Sequence, residues 1–280
     1  MGMFTRRVAL SLLAVLTTSF CIAARAQRAQ WPNEYFDPKP CQNVAGEFDY
    51  YTLVLSWSPT ECIASSSCRK DTQCARRDGK RYGFLLHGLW PQYAKGYPEH
   101  CPVRRRPFVP NAVIDTVRNV MPRRGLVIHE YRTHGTCSGL SPAQYYGFAR
   151  RLFKQIKIPK RYRNPFETQF VSPYQLKREL TALNPWLKPD MIAVTCTRRA
   201  KQLKGVRICF TKNGQPRTCG RNEAQHKLCR AKQIRVPPVR STRREKFGAG
   251  AQPRDGKKPI CKSRSNTASL KRPICLVAPD

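Results

Sequence analysis

Five histidines occur in the 280 residues, and three of them fall in two short segments: FLLHGLWP, which holds His87, and HEYRTHGTC, which holds His129 and His134. Imidazole titrates near neutrality, so a pair of histidines can supply both a proton acceptor and a proton donor to one reaction. A zinc-protease helix needs His at i and i+4 with Glu after the first. Here His129 and His134 are five apart, which on a helix projects them about 140° from each other. Glu130 and His134 are four apart and share a face. The second segment therefore favours a carboxylate beside a histidine over a two-histidine metal site. No Gly-x-Ser-x-Gly elbow is present for a serine nucleophile. Two histidines and a carboxylate suit transesterification of RNA. One imidazole takes the ribose 2′-OH proton, that oxygen attacks the adjacent phosphorus, and the second imidazole protonates the departing 5′ oxygen. A further donor stabilises the phosphoryl oxygens. Such chemistry needs no metal and no cofactor, and it refuses DNA, which lacks the 2′-OH.

Composition narrows the partner. Lys and Arg total 52 against 17 Asp and Glu, a formal charge of +35. That field attracts polyanions, nucleic acid foremost, although acidic lipopolysaccharide and anionic lipid are drawn too. Residues 1–26 read as a signal peptide: Arg6 and Arg7 precede the apolar stretch Val8–Ala23, and Ala24-Arg25-Ala26 is a small-x-small cleavage site ending at Ala26. The stretch is short for a membrane span. Losing it removes Cys21 and three arginines, which leaves 12 of the 13 cysteines and a charge near +32. An even, high cysteine count in an exported chain implies a disulfide framework and argues against a thiol nucleophile. The absence of any Cys-x-x-Cys argues against a cysteine metal site. A secreted or periplasmic protein is expected, with no membrane insertion after leader removal. No protein partner is required, and a monomer is expected.

The elements that must hold these residues follow from pattern. Phe48–Trp57 (FDYYTLVLSW) is rich in aromatic and β-branched residues, as a central strand should be. Residues 58–82, with Cys62, Cys68 and Cys74 among polar neighbours, read as a pinned loop. Phe84–Leu89, Met191–Thr197 and Val206–Phe210 read as further strands. Helical spacing recurs at Val113, Ile114, Val117 and Val120 behind Asn111. It recurs again at Tyr145, Phe148, Leu152 and Ile156 behind Ser141-Pro142, and at Leu176, Leu180 and Leu183 behind Ser172-Pro173. Strands at both ends with helices between them predict an α+β fold, a central mostly antiparallel sheet packed on helices. The boundaries run as leader 1–26, an irregular segment 27–45, one catalytic domain over 46–230 and a basic tail with little core potential over 231–280. His100 and His226 are expected at the surface, Trp57 and Trp186 in the core.

HGLWP and HEYRTHGTC, in this order, resemble the two active-site segments of the ribonuclease T2 family, secreted base-nonspecific endoribonucleases, over roughly residues 46–230. The resemblance implies that His134 is the general base, His87 the general acid and Glu130 an assistant at the transition state. It also implies that His129 binds the scissile phosphate and Trp90 contributes to a base pocket, with a 2′,3′-cyclic phosphate as product. Three positions depart from the family pattern: Tyr131 stands for Trp, Thr133 for Lys, and Ser56 for Gln. Arg132 is the expected substitute for the phosphate-binding lysine. The alternative is a catalytically weak basic protein on the same fold that holds RNA or acidic surface polymers. By the same resemblance Cys101 pairs with Cys137, Cys209 with Cys219, Cys196 with Cys229 and Cys62 with Cys68. Cys41 with Cys74 and Cys261 with Cys275 then remain.

Overall fold

In the computed structural model, residues 43–65, 71–74, 82–103 and 107–239 are described. Strand β1 (Tyr50–Trp57) is buried along almost its whole length, which is why its sequence is near-continuously apolar and aromatic. It pairs antiparallel with β2 (Phe84–Gln92) on one side and with β5 (Leu203–Phe210) on the other; β4 (Ile192–Cys196) adds to β5, giving the order β2-β1-β5-β4. A second, two-stranded antiparallel sheet joins β3 (Gln169–Val171) to β6 (Ile234–Val236). The helices in chain order are α1 (Ser58–Ala64), α2 (Asn111–Val117), α3 (Arg124–Thr133), α4 (Pro142–Gln155), α5 (Lys160–Arg163), α6 (Pro173–Leu183) and α7 (Gln225–Leu228). The expected α+β class is the one observed.

Register sorts the large sheet into two faces. Leu53 lies opposite Leu89 and Ile208, and Leu55 opposite Leu86 and Val206. These residues form the buried core with Tyr145, Tyr146 and Leu152 of α4 and Leu176 and Leu180 of α6. On the other face Thr52 lies opposite Trp90, and Val54 sits between Gly88 and Arg207. One face therefore builds the core and the other presents polar side chains. Helix α4 starts as its sequence requires, with a capping box in which Ser141 Oγ accepts from Gln144 N and Ser141 N donates to Gln144 Oε1 at 3.0 Å. Ser172 caps α6 in the same sense, accepting from Gln175 N at 3.0 Å.

Several expectations need correction. The pinned loop after β1 opens instead with α1, started by Pro59 in its first turn. Helix α3 was not among the three expected helices, because its buried face comprises Val127, Glu130, Tyr131 and Thr133, half of them polar, and so shows no apolar period. Strand β2 runs on to Gln92 and carries Trp90 into the sheet. Trp186, expected in the core, is 36% exposed just past α6, while Trp57 is fully buried.

Four disulfides fall among the described residues: Cys62–Cys74, Cys101–Cys137, Cys196–Cys229 and Cys209–Cys219. Cys62 therefore pairs with Cys74, replacing both the expected Cys62–Cys68 and Cys41–Cys74 pairs. Helix α1 and the turn at 72–74 bring the two Cα atoms to 5.4 Å, well within bridging reach. Cys41, Cys68, Cys261 and Cys275, the leader and the tail beyond 239 lie outside the described residues. The Cys101–Cys137 bridge closes 36 residues; by loop entropy such a closure contributes roughly 4 kcal/mol.

Candidate active site

Two elements carry the site, and one helix fixes both. In the β1–β2 register Val54 faces Gly88 but Leu55 faces Leu86, so His87 is the additional residue of a β-bulge. A bulge re-aims a side chain out of the regular alternation, and His87 is half-buried as a result. Helix α3 carries His129 and Glu130, and His134 caps its C-terminus, its N–H bonded to the Glu130 carbonyl at 2.9 Å. The hydroxyl of Tyr145 on α4 donates to Leu89 O at 2.7 Å and accepts from Leu89 N at 3.2 Å, which fixes β2 beside the bulge. The next residue, Tyr146, donates its hydroxyl to Val127 O on α3. The two active-site segments are thus held by adjacent tyrosines of one helix.

The side chains converge on Glu130, which is only 2% exposed. His87 Nε2 lies 3.3 Å from Glu130 Oε1, and Trp90 Nε1 donates to Glu130 Oε2 at 2.7 Å. The Trp90 ring stacks on His134 with centroids 4.8 Å apart and meets His87 edge-on at 5.8 Å. Gly88 makes room for this. A Cβ there would collide with Glu130 Oε2 and stand 2.8 Å from Trp90 Nε1. His129 is solvent-exposed one residue before Glu130.

Arg132 and Trp90 take the following positions. Arg132 follows Glu130 by two residues, about 200° around the helix, and its Nε donates to Pro107 O at 3.2 Å. It is turned away from the Glu130 carboxylate, and Thr133 beside it is buried. Trp90, expected to contribute to a base pocket, stacks its ring on His134 and bonds Glu130 through Nε1.

Two residues that the sequence reading passed over enter the site. Arg207 of β5 places its guanidinium carbon 4.9 Å from the Trp90 ring centroid and is tied at 3.6 Å to Glu223, which is fully buried and also accepts from Tyr50 and Thr52. Its signal was present: Val206-Arg207-Ile208 sets a charge on the face opposite two aliphatic residues of a strand. Glu99 Oε1 approaches His134 Nε2 at 3.9 Å. Its signal was the bridge itself, since joining Cys101 to Cys137 brings residues 99–101 alongside 134–137; His100 N bonds Thr133 O at 2.7 Å there. A cleft of about 240 Å³ is lined by His87, Trp90, Arg207 and Ser56 among others.

Electrostatics separate the groups. Burial pulls the His134 imidazole down to about 4, with the charges of His129, His87 and His100 acting in the same direction and Glu130 against it. Burial would push Glu130 up, but bonds from His87 and Trp90 and the positive charge of both imidazoles outweigh it and hold the carboxyl below its ordinary range. Both shifts make stability depend on acid. In the unfolded chain His134 takes its proton near 6.5, whereas in the fold it stays neutral to about 4. Between those values the unfolded state binds more protons, so stability falls as pH drops. Glu130 works in the same direction: its stabilisation is present above its unfolded value and lost as pH falls through the folded one. The melting temperature should therefore decline from pH 6.5 to about 4. His134→Ala should flatten that decline by on the order of 3 kcal/mol. Parallel loss in both proteins would show that His134 is not held neutral.

No helix among the described residues is long and apolar enough to cross a membrane. Residues 48–219 match the family described as the ribonuclease T2 family. A ribonuclease of Aeromonas hydrophila is 35% identical over 170 residues, covering 61% of this chain and 75% of that protein. A probable ribonuclease of Haemophilus influenzae is 30% identical over 190 residues, 64% of this chain and 63% of that one. Among solved structures, trichomaglin, described as a novel S-like ribonuclease, superposes with a TM-score of 0.55 over 70% of this chain and all of its own, at 19% identity, which speaks for the fold. With 61% of its length inside the family match, and the sheet, helices and two histidine segments assembled as described, the chain belongs to the ribonuclease T2 family, whose members are endoribonucleases.

Proposed function

We propose that the protein cleaves single-stranded RNA without a metal, by attack of the ribose 2′-OH on the adjacent phosphorus, leaving 2′,3′-cyclic phosphate ends. The observation that carries this reading is the buried Glu130 carboxylate, which takes His87 and Trp90 on its two oxygens while Trp90 stacks on His134. His134 is neutral above about pH 4 and so is ready to accept the 2′ proton. Its Nδ1 is buried, which leaves Nε2 as the accepting atom. His87, oriented by Glu130 through Nε2, protonates the departing 5′ oxygen. His129, exposed beside Glu130, contacts the scissile phosphate. The disulfides among the described residues support an oxidising compartment, and with the leader-like residues 1–26 they support export to the periplasm or beyond. Purified protein mixed with RNA in EDTA should degrade it to cyclic-phosphate ends and leave DNA of the same sequence intact. Cleavage of that DNA, or loss of activity in EDTA, would overturn the mechanism.

Arg207, not Arg132, is the cation that faces the reacting phosphate in this reading. Removing one preorganised donor from a developing charge typically slows the step by at least ~10². Arg207→Ala should therefore lower kcat/KM on RNA by about that factor, with Arg207→Lys recovering part of it. Arg132→Ala should stay within about twofold, since it removes a half-buried hydrogen bond to Pro107 O that does not reach the Glu130 carboxylate. The reverse ranking of the two variants would return the role to Arg132.

A further inference from the structure

The catalytic cleft adjoins a larger cavity, a basin of about 1040 Å³, against about 240 Å³ for the cleft. Both are lined by Cys196, Arg198, Lys227 and Leu228, so the two spaces share a wall. The basin's lining carries Arg198, Lys201, Lys227, Arg230, Lys232 and Arg235, six cations among fourteen residues, and no carboxylate. Over the whole chain Lys and Arg are 52 of 280, so this wall is more than twice as cationic as the protein at large. Phe170, 57% exposed, stands in it as a flat apolar surface. The bridge Cys196–Cys229 ties the two chain segments of the floor, and Arg235 N bonds Lys201 O at 2.9 Å across it. The basin is therefore preformed.

A row of cations with an exposed aromatic ring, opening onto a nuclease cleft, has the composition of a single-stranded nucleic-acid track, where Lys and Arg follow the phosphates and a ring stacks a base. We propose that this basin binds the RNA strand remote from the scissile bond, so that long substrates are held by backbone contacts that short ones cannot reach. The proposal rests on the ribonuclease reading above. It assigns Lys201, Arg230 and Lys232, all exposed, to substrate capture and leaves the chemistry to the cleft.

The test compares the wild-type chain with the triple variant K201E/R230E/K232E, after thermal melting has shown both folded. Binding is read with a 2′-O-methyl oligouridylate of about 20 nucleotides, which cannot be cleaved through its 2′ oxygen and exceeds the ~4–16 nucleotides a single-stranded site spans. Losing three phosphate contacts should make the slope of log Kd against log salt shallower by about 2 and weaken binding at low salt by at least ~10-fold. In turnover, KM for long RNA should rise by a similar factor with kcat unchanged, while kcat/KM for a dinucleoside monophosphate stays the same. Unchanged KM on long RNA, or equal loss on both substrates, overturns the proposal. So does a variant that loses binding to dextran sulfate while keeping the oligouridylate, since the basin would then serve another polyanion. If wild type cleaves neither substrate, the catalytic reading fails, and the salt slope still decides whether the basin holds RNA.

Discussion

His134→Ala and His87→Ala should each leave RNA intact over times in which the wild-type chain degrades it. General acid–base groups contribute about 10²–10⁴-fold each, and the proposed mechanism assigns one imidazole to each proton, so losses of about 10³-fold are expected in kcat/KM. The double variant should lose little more than either single one, because removing either proton transfer stops the same displacement. Their folding should differ. His134 is buried against Trp90, so its loss opens space in the site, whereas His87 is more exposed and its loss leaves the sheet intact. Circular dichroism and melting therefore separate inactivity from unfolding, with His87→Ala the cleaner case. Retention of more than a tenth of wild-type turnover in either variant would remove that histidine from the mechanism. The pH profile supplies an independent reading of the same assignment. A base held neutral to about 4 places the acid limb of kcat/KM near that value, well below the ordinary imidazole value of about 6.5.

The same burial explains which parts of the site could be read from the chain alone. His87, Glu130 and His134 sit in two short segments with unusual composition, and the i, i+4 spacing of Glu130 and His134 on one helical face is visible in a string of letters. The helix that carries them was not, because its inward face holds Glu130 and Thr133 as well as Val127 and Tyr131. Apolar periodicity reports a helix only when its buried face is apolar, and an active-site helix breaks that rule by burying polar groups. The position of Arg132 illustrates a related point. Adjacent residues on a helix point about 100° apart, so Arg132 leaves the backbone in a different direction from Thr133, and the cation that approaches Trp90 comes from β5, more than 70 residues further along the chain. Only pairing of β1 with both β5 and β2 puts Arg207 and Gly88 on either side of Val54, on the face that carries Trp90. The bulge at His87 is equally invisible, since it is a property of two strands in register. Local chemistry was legible, and long-range register was not.

That register makes Gly88 the site's most sensitive backbone position. It lies inside β2, opposite Val54, within the stretch whose sequence reads as a strand. What it provides is the space a side chain would fill: a Cβ would overlap Glu130 Oε2 and stand 2.8 Å from Trp90 Nε1. Gly88→Ala should therefore push the Glu130 carboxylate off one or both of its partners. Overpacking of this kind typically costs about 1–3 kcal/mol. Displacing a buried carboxylate from its hydrogen bonds adds a comparable amount, because hydrogen bonds to charged groups contribute about 1.5–3 kcal/mol each. The effect on catalysis should exceed the effect on folding. His87 loses the acceptor that orients it, Trp90 loses the bond that holds its ring against His134, and misplacement by about 1 Å can cost 10²-fold in rate. A fall of about 10²-fold in kcat/KM is expected with the protein still folded. Shortening the carboxylate is the control. Glu130→Asp withdraws the oxygens from the added methyl, so Gly88→Ala combined with Glu130→Asp should melt higher than additivity predicts, with a coupling energy of at least ~0.5 kcal/mol, as expected for residues in direct contact. If Gly88→Ala keeps wild-type turnover, or if the two substitutions simply add, then the carboxylate does not depend on that space and Glu130 is held by something other than the glycine beneath it.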